Sequence, residues 1–151
     1  MERMRPDDHF MVALETDATP MHIGALLLLE IPEAKRPTCA DQIRAHLLER
    51  LKYTPLLRVL REAPDGCDSD AWFSVSEEKG HKCIHLHTSD TPLDDAALQE
   101  FTAVNAMQRI DLSGPPFEIH ILDNVTEDRV ALYVKVHHCM TCLLYTSDAA
   151  D

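Results

Sequence analysis

Three things are scarce in this sequence of 151 residues: basic charge, long apolar runs and paired cysteines. Lys and Arg total 14 against 26 Asp and Glu, a formal net charge of −12. That balance excludes a general nucleic-acid binder, which needs a basic face to neutralise phosphates. The longest unbroken apolar run covers residues 23–29, seven residues. A bilayer-spanning helix needs about 20, so no transmembrane segment is expected. The opening Met1-Glu2-Arg3-Met4-Arg5-Pro6 lacks the apolar stretch of a signal peptide, which makes a cytoplasmic location the expectation. The five cysteines, Cys39, Cys67, Cys83, Cys139 and Cys142, are odd in number and irregular in spacing, unlike a secreted disulfide framework. Cys139 and Cys142 form a C-x-x-C pair, but no second Cys pair and no helix-borne His pair accompanies them, so no metal is expected. Internal repeats and low-complexity tracts are absent as well.

What is present suits a folded domain, or a piece of a larger one. Apolar residues make up 45% of the chain, enough to build a core and to exclude wholesale disorder. Phe10, Met11 and Leu14 recur at helical spacing, with Asp7 or Asp8 available as a cap and an end near Thr16. Residues 21–31 read as a strand between Pro20 and Pro32, apolar on both faces and therefore expected in the middle of a sheet. A helix is expected from Thr38, with Ile43, Leu47, Leu48 and Leu51 as its apolar stripe and Pro55 marking its end. Residues 56–61, 71–76 and 82–87 are short strand candidates, and Pro64, Asp65 and Gly66 supply turn chemistry in a loop over 63–70. A second helix is expected over 93–108, capped by Thr91, with Ala97, Phe101, Val104 and Met107 or Gln108 facing inward. Strands over 117–122 and 129–137 follow, joined by an acidic turn. Strands mixed with two good helices indicate an α/β sandwich built on a mixed sheet.

The richest chemistry closes the last strand, Val130-Ala131-Leu132-Tyr133-Val134-Lys135-Val136-His137-His138. Period-two alternation puts Val130, Leu132, Val134, Val136 and His138 on one face, the expected core face, and Ala131, Tyr133, Lys135 and His137 on the other. A histidine where a core face meets a strand end can be shielded yet reach a cavity. The ordinary histidine pKa near 6.5 suits proton abstraction at neutral pH. Most paired histidines at strand ends are ordinary boundary residues of a sheet, and spacing alone favours that reading over catalysis. His22 reads as a hydrogen-bonded sheet histidine and Glu118 as an ion-pair partner at a strand end. His85 and His87 share a strand face with no third ligand assignable, and read as solvated surface.

Four segments together carry a family resemblance. His137-His138-Cys139-Met140-Thr141 resembles the first five positions of the HHxxxDG motif of the CoA-dependent acyltransferase superfamily. Pro6, Asp8, Phe10 and Glu15 with Pro20-Met21-His22-Ile23-Gly24 resemble the opening of the bacterial wax ester synthase/diacylglycerol acyltransferases. Residues 43–51 with Pro55-Leu56-Leu57-Arg58 resemble that family's first long helix and the segment after it. Residues 115–122 are similar to its PLW-containing strand, with Pro116 and Phe117 where Leu and Trp usually stand.

The resemblance implies the N-terminal half of a two-domain, chloramphenicol-acetyltransferase-like fold. It implies transfer of a fatty acyl group from acyl-CoA, as co-substrate, to diacylglycerol or a long-chain alcohol. His138 is then the general base and His137 a structural member of the motif, with no permanently bound cofactor, no metal, and acyl-CoA contacts that cannot be assigned to residues. The partners implied are those lipids and a C-terminal domain, with peripheral contact to a membrane or lipid inclusion. Two other readings stay open: a condensation domain of the peptide-synthetase type, and an inactive binding or scaffold protein on the same fold.

After Thr141 the motif calls for Asp and Gly, but the chain has Cys142 and Leu143. Residues 142–151 resemble a translated sequencing adapter. The expected domain is therefore 1–141, cut within the motif, followed by a non-native tail and inactive by itself.

Overall fold

The computed structural model describes residues 1–62, 70–126 and 129–140. The loop expected over 63–70 falls almost wholly outside the described residues, as do Thr141 and the tail 142–151 with Cys142. The element order is β1 (Glu2–Arg3), α1 (Pro6–Leu14), β2 (His22–Glu30), α2 (Arg36–Leu51), β3 (Arg58–Glu62), β4 (Asp70–Ser74), α3 (Glu77–His81), β5 (Ile84–His87), α4 (Asp95–Ala106), β6 (Phe117–Val125) and β7 (Arg129–His137). A 3-10 turn at Glu33–Lys35 leads into α2, and another at His138–Met140 follows β7. The strands form a small antiparallel sheet in the order β1-β4-β3 and a mixed sheet in the order β2-β7-β6-β5. Only β5 and β6 run parallel in the mixed sheet. The α/β sandwich on a mixed sheet is therefore the fold observed.

The two faces of the mixed sheet are chemically opposite. One carries Phe117, Ile119 and Ile121 of β6 with Val130, Leu132, Val134 and Val136 of β7. It packs against Ala40, Ile43, Leu47, Leu48 and Leu51 of α2, so the expected helix stripe holds. The other face carries His85 and His87, Glu118 and His120, and Tyr133, Lys135 and His137. Helix α4 crosses that end of the molecule, placing Leu98 and Phe101 against Leu122, Ala131 and Tyr133. The alternation in β7 is as expected, but the burial is not: Ala131, Tyr133, Lys135 and His137 are the more deeply buried set. Sequence alternation assumes one wet face, whereas β7 has side chains packed against both of its faces.

Lys135 is wholly buried. Its ammonium lies 2.8 Å from a Glu118 carboxylate oxygen. It also donates to the carbonyls of Asn105 and Gln108 at the C-terminal end of α4, at 3.1 and 3.0 Å. One side chain thus neutralises a carboxylate and satisfies carbonyls that the end of a helix leaves open. Burial pushes the Glu118 pKa up, but hydrogen bonds from His120 and Lys135 and the Lys135 charge outweigh it and hold it at about 2. Beside this pair, His87 Nε2 lies 3.0 Å from His120 Nδ1, and His85 stacks on His120 at 4.9 Å between centroids. His85 and His87 are half-buried rather than solvated surface, His87 against Phe101 of α4 and His85 against His120. Burial, then the neighbouring His120, lowers both of their pKa values.

Several local expectations shift. Neither Asp7 nor Asp8 caps α1; both sit in its first turn, where a carboxylate suits the positive helix end. Asp94, not Thr91, caps α4, accepting from the Ala97 amide at 2.8 Å. The buried stripe of α4 centres on Leu98, and Val104 and Met107 are exposed. Helix α3 was unexpected, because its five residues, Glu-Glu-Lys-Gly-His, carry no apolar period. Strand β6 runs past Leu122 through an irregularity, with Asn124 at φ 58°, a left-handed conformation that asparagine tolerates well.

The largest correction concerns β2. It is an edge strand, not a central one. Leu26, Leu27 and Leu28 are 39%, 44% and 43% exposed. An apolar run reports the composition of a strand, not what lies beside it. Gly24 fits the strand for a steric reason: a Cβ there would lie 2.8 Å from the Tyr133 hydroxyl.

Three outcomes follow from these contacts. The nine-residue, leucine-rich β2 has an edge with no partner among the described residues, which favours self-association. Sedimentation velocity should show association rising with concentration, and Leu27→Lys should suppress it while changing stability by no more than about 0.5 kcal/mol. Lys135→Met strands the Glu118 carboxylate and two carbonyls, and urea unfolding should show a loss of about 3 kcal/mol. Replacing Glu118 as well, by Leu, should recover part of it. Acid sensitivity should come in two stages in urea midpoints measured from pH 7.5 downward. The folded state holds His85 and His87 below the ordinary 6.5, so the unfolded chain takes up protons first and stability declines as pH falls through 6.5. The Glu118 contribution is complete above 4.5 and is lost as pH falls from there towards about 2. Glu118→Gln should flatten the second stage.

Candidate functional site

The histidine-bearing turn lies where β7 ends, beside the start of β2 and the start of β6. Pairing of β2 with β7 sets His22 opposite His137, and the His137 amide donates to the Pro116 carbonyl just before β6, at 3.0 Å. Strand alternation stops at His137. His138 opens the 3-10 turn instead of extending the core face, and its side chain is half-buried. The His138 amide donates to the Met21 carbonyl at 2.9 Å, which fixes the turn to the residue before β2.

His137 is wholly buried. Its Nδ1 accepts from the Cys139 amide at 3.2 Å and lies 2.8 Å from Cys139 Sγ. That arrangement makes Nδ1 the unprotonated nitrogen and puts the ring proton on Nε2. Nε2 faces Glu15 Oε1 at 3.5 Å. Burial lowers the His137 pKa first, opposed by the Glu15 charge, so the imidazole is neutral at pH 7. The short His137–Cys139 contact has the form of a cysteine–histidine dyad. However, burial, followed by the charge of Asp8, pushes the Cys139 thiol up to about 12. A thiol at that value is a donor and not a nucleophile.

Glu15 follows α1, and its side chain is fully inaccessible. One carboxylate oxygen accepts from the Met21 amide at 3.0 Å. The other meets the Arg109 guanidinium at 3.0 Å, and Arg109 also bonds Asp17 at 3.0 Å. His22, expected to be hydrogen-bonded, has its Nδ1 buried without a hydrogen-bond partner. Its pKa is lowered, by burial first and then by Lys135. Sequence reasoning does not reach the contacts of Arg109 and Arg58, because their partners are distant along the chain.

The far side of the turn rests on the small sheet. Arg58 Nε lies 3.2 Å from Met140 Sδ, and the Arg58 guanidinium stacks on Trp72 at 4.8 Å. Cys139 packs with Met4 and Trp72, against Met11 and Val12 of α1. A cleft of about 380 Å³ opens at this end of the sheet, lined by Lys79, Lys82, His85, Phe117 and Glu118 among others. A second, of about 360 Å³, lies at the opposite end between Arg36, Asn124 and Arg129. His138 lines neither. Among the described residues no group of three or more His, Cys, Asp or Glu is placed to hold a metal ion. No described helix is long and apolar enough to cross a membrane.

Comparison with known proteins gives this geometry a context. Two probable diacylglycerol O-acyltransferases of Mycobacterium tuberculosis are similar to the chain. One is 24% identical over 142 residues, covering 93% of this chain and 31% of that protein. The other is 28% identical over 141 residues, covering 91% and 51%. The chain thus spans between about a third and a half of these relatives. The wax ester synthase/diacylglycerol acyltransferase structure from Marinobacter aquaeolei VT8 shares the fold at a TM-score of 0.78 and 23% identity, covering 98% of this chain and 37% of that one. A starter condensation domain of rhizomide synthetase, solved in complex with C8-CoA, shares it more loosely, at a TM-score of 0.60 and 14% identity over 91% of this chain and 31% of that one. The family model of the wax ester synthase/diacylglycerol acyltransferase catalytic domain matches residues 4–141. With its fold and its His137–His138 turn, the chain belongs to the wax ester synthase/diacylglycerol acyltransferase family.

Proposed function

We propose that this chain carries the histidine-bearing half of an O-acyltransferase that moves a fatty acyl group from acyl-CoA to diacylglycerol or a long-chain alcohol. His138 is the general base. It takes the acceptor hydroxyl proton as the oxygen attacks the thioester carbonyl; the tetrahedral intermediate collapses, the C–S bond breaks, and the imidazolium returns the proton to the departing CoA thiolate. The observation that carries this reading is the position of His138, half-buried on a turn clamped from both sides while its neighbour His137 is fully committed to internal contacts. The raised pKa of Cys139 supports direct transfer without a cysteine intermediate. His137 is a structural member of the pair. Condensation-type amide synthesis is the second reading, on the shared fold, but the family match favours an oxygen acceptor.

The opposite wall of the substrate tunnel and part of the acyl-CoA site come from sequence that the longer relatives have beyond the matched span. Residues 1–141 are accordingly one domain of a two-domain enzyme, inactive alone, and residues 142–151 have no part in the chemistry. Lipid substrates bring the enzyme to a membrane or lipid inclusion peripherally.

Release of CoA thiol from palmitoyl-CoA tests the reading, with hexadecanol or diacylglycerol as acceptor and an amine as control. A full-length protein containing residues 1–141 should turn over with the alcohols. His138→Ala should lower kcat by about 10² to 10⁴ with little change in KM, the usual range for a general base. Equal rates in the two proteins remove His138 from the mechanism. The 151-residue chain alone should show no turnover, and His138-dependent release by it would overturn the two-domain requirement.

A further inference from the structure

We infer that Glu15 is the positioning residue for His138, setting through one buried carboxylate where the turn sits against β2; this rests on the reading of His138 as the base. His138 is placed through its backbone, because its amide donates to the Met21 carbonyl at 2.9 Å. The amide of the same Met21 donates to Glu15 Oε1 at 3.0 Å. Met21 is therefore gripped on one side by Glu15 and on the other by the His138 turn. That same oxygen faces His137 Nε2 at 3.5 Å without a hydrogen bond, so the Glu15 charge bears on the ring whose Nδ1 holds the Cys139 amide, one residue beyond His138.

Two links thus run from one carboxylate oxygen, one through Met21 to the His138 amide and one through the His137 ring to the Cys139 amide. The other oxygen is anchored by Arg109, which is half-exposed and tied to Asp17, so the carboxylate itself cannot swing. Its side chain has no exposure to water. A buried carboxylate in such a place is expensive unless it is compensated: Oε1 accepts the Met21 amide, and Oε2, which accepts no hydrogen bond, is neutralised by the Arg109 charge at 3.0 Å. An apolar residue could fill the volume but could not accept the Met21 amide or face an N–H of His137. Fixing a base through its neighbours in this way is how a rigid scaffold holds a reacting group within the narrow tolerance that proton transfer requires.

The test uses Glu15→Ala, Glu15→Gln and, should the buried site not tolerate these, Arg109→Gln at the exposed end of the same network. Amide hydrogen exchange is followed by NMR in the 151-residue chain. In Glu15→Ala the Met21 and His138 amides should exchange about tenfold faster, the equivalent of one lost hydrogen bond. Val59 and Ile121, in other strands, should change by less than about twofold, and the His137 ring nitrogen resonances should move. Glu15→Gln, which keeps an acceptor, should lie between Glu15→Ala and the unaltered chain. Arg109→Gln should raise exchange at Met21 and His138 in the same pattern. Unchanged His138 protection in a folded variant, or a uniform rise across the sheet, overturns the proposal. In the full-length protein kcat should fall at least about tenfold with KM for palmitoyl-CoA within about twofold, partly restored by Gln. A protein that transfers no acyl group refutes the proposed activity, while the exchange pattern decides the role of Glu15 separately.

Discussion

The buried ammonium of Lys135 decides how the rest of this molecule is arranged. A sheet with one apolar face and one face of imidazoles, a carboxylate and an amine should leave the second face in water. Instead it is roofed by α4, and the roof holds because Lys135 binds Glu118 below it and the last carbonyls of the helix above. Once α4 is fixed, the segment beyond it delivers Arg109 to Glu15, and Glu15 reaches Met21 and His137. Two ion pairs, Lys135–Glu118 in the sheet and Arg109–Glu15 at the turn, are thus joined through the backbone between Asn105 and Arg109. The small sheet braces that turn from the other side through Arg58 and Trp72. The site is an end point of the electrostatics of the fold rather than a feature added to it.

Legibility in the sequence followed the range of the physics. Helix α2 was readable because Ile43, Leu47, Leu48 and Leu51 repeat at helical spacing and that stripe meets the core. Strands β6 and β7 were readable from alternation and bounding turn residues. The edge position of β2 was not, since four successive leucines look the same whether another strand or water lies alongside. Burial of Lys135 was hidden because its compensating charge, Glu118, sits on a different strand, and a lysine at an alternating position is read as outward-facing. His137 and His138 stood out through the motif they resemble. The contacts of Glu15 did not, because its amide, imidazole and guanidinium partners come from three separate segments.

Family membership and geometry meet in the division of labour within the His-His-Cys run. Three adjacent side chains with nucleophilic or basic atoms could each claim the chemistry. The structure separates them by environment: His137 is enclosed and hydrogen-bonded, Cys139 is held as a thiol far above neutral pH, and His138 is the one left partly open. Burial, more than residue type, does the sorting.

The pairing of β2 with β7 also bears on how the chain is made. Glu30 pairs with Arg129 and His22 with His137, so every contact of that ladder joins residues about a hundred positions or more apart. Pairings that distant are slow to form, and on a ribosome β2 emerges well before its partner exists. At about 5–20 residues per second the leucines of β2 wait several seconds or longer for β7. During that interval the strand has both edges bare, not one. The histidine turn, which closes that ladder, is then among the last parts of the domain to take shape.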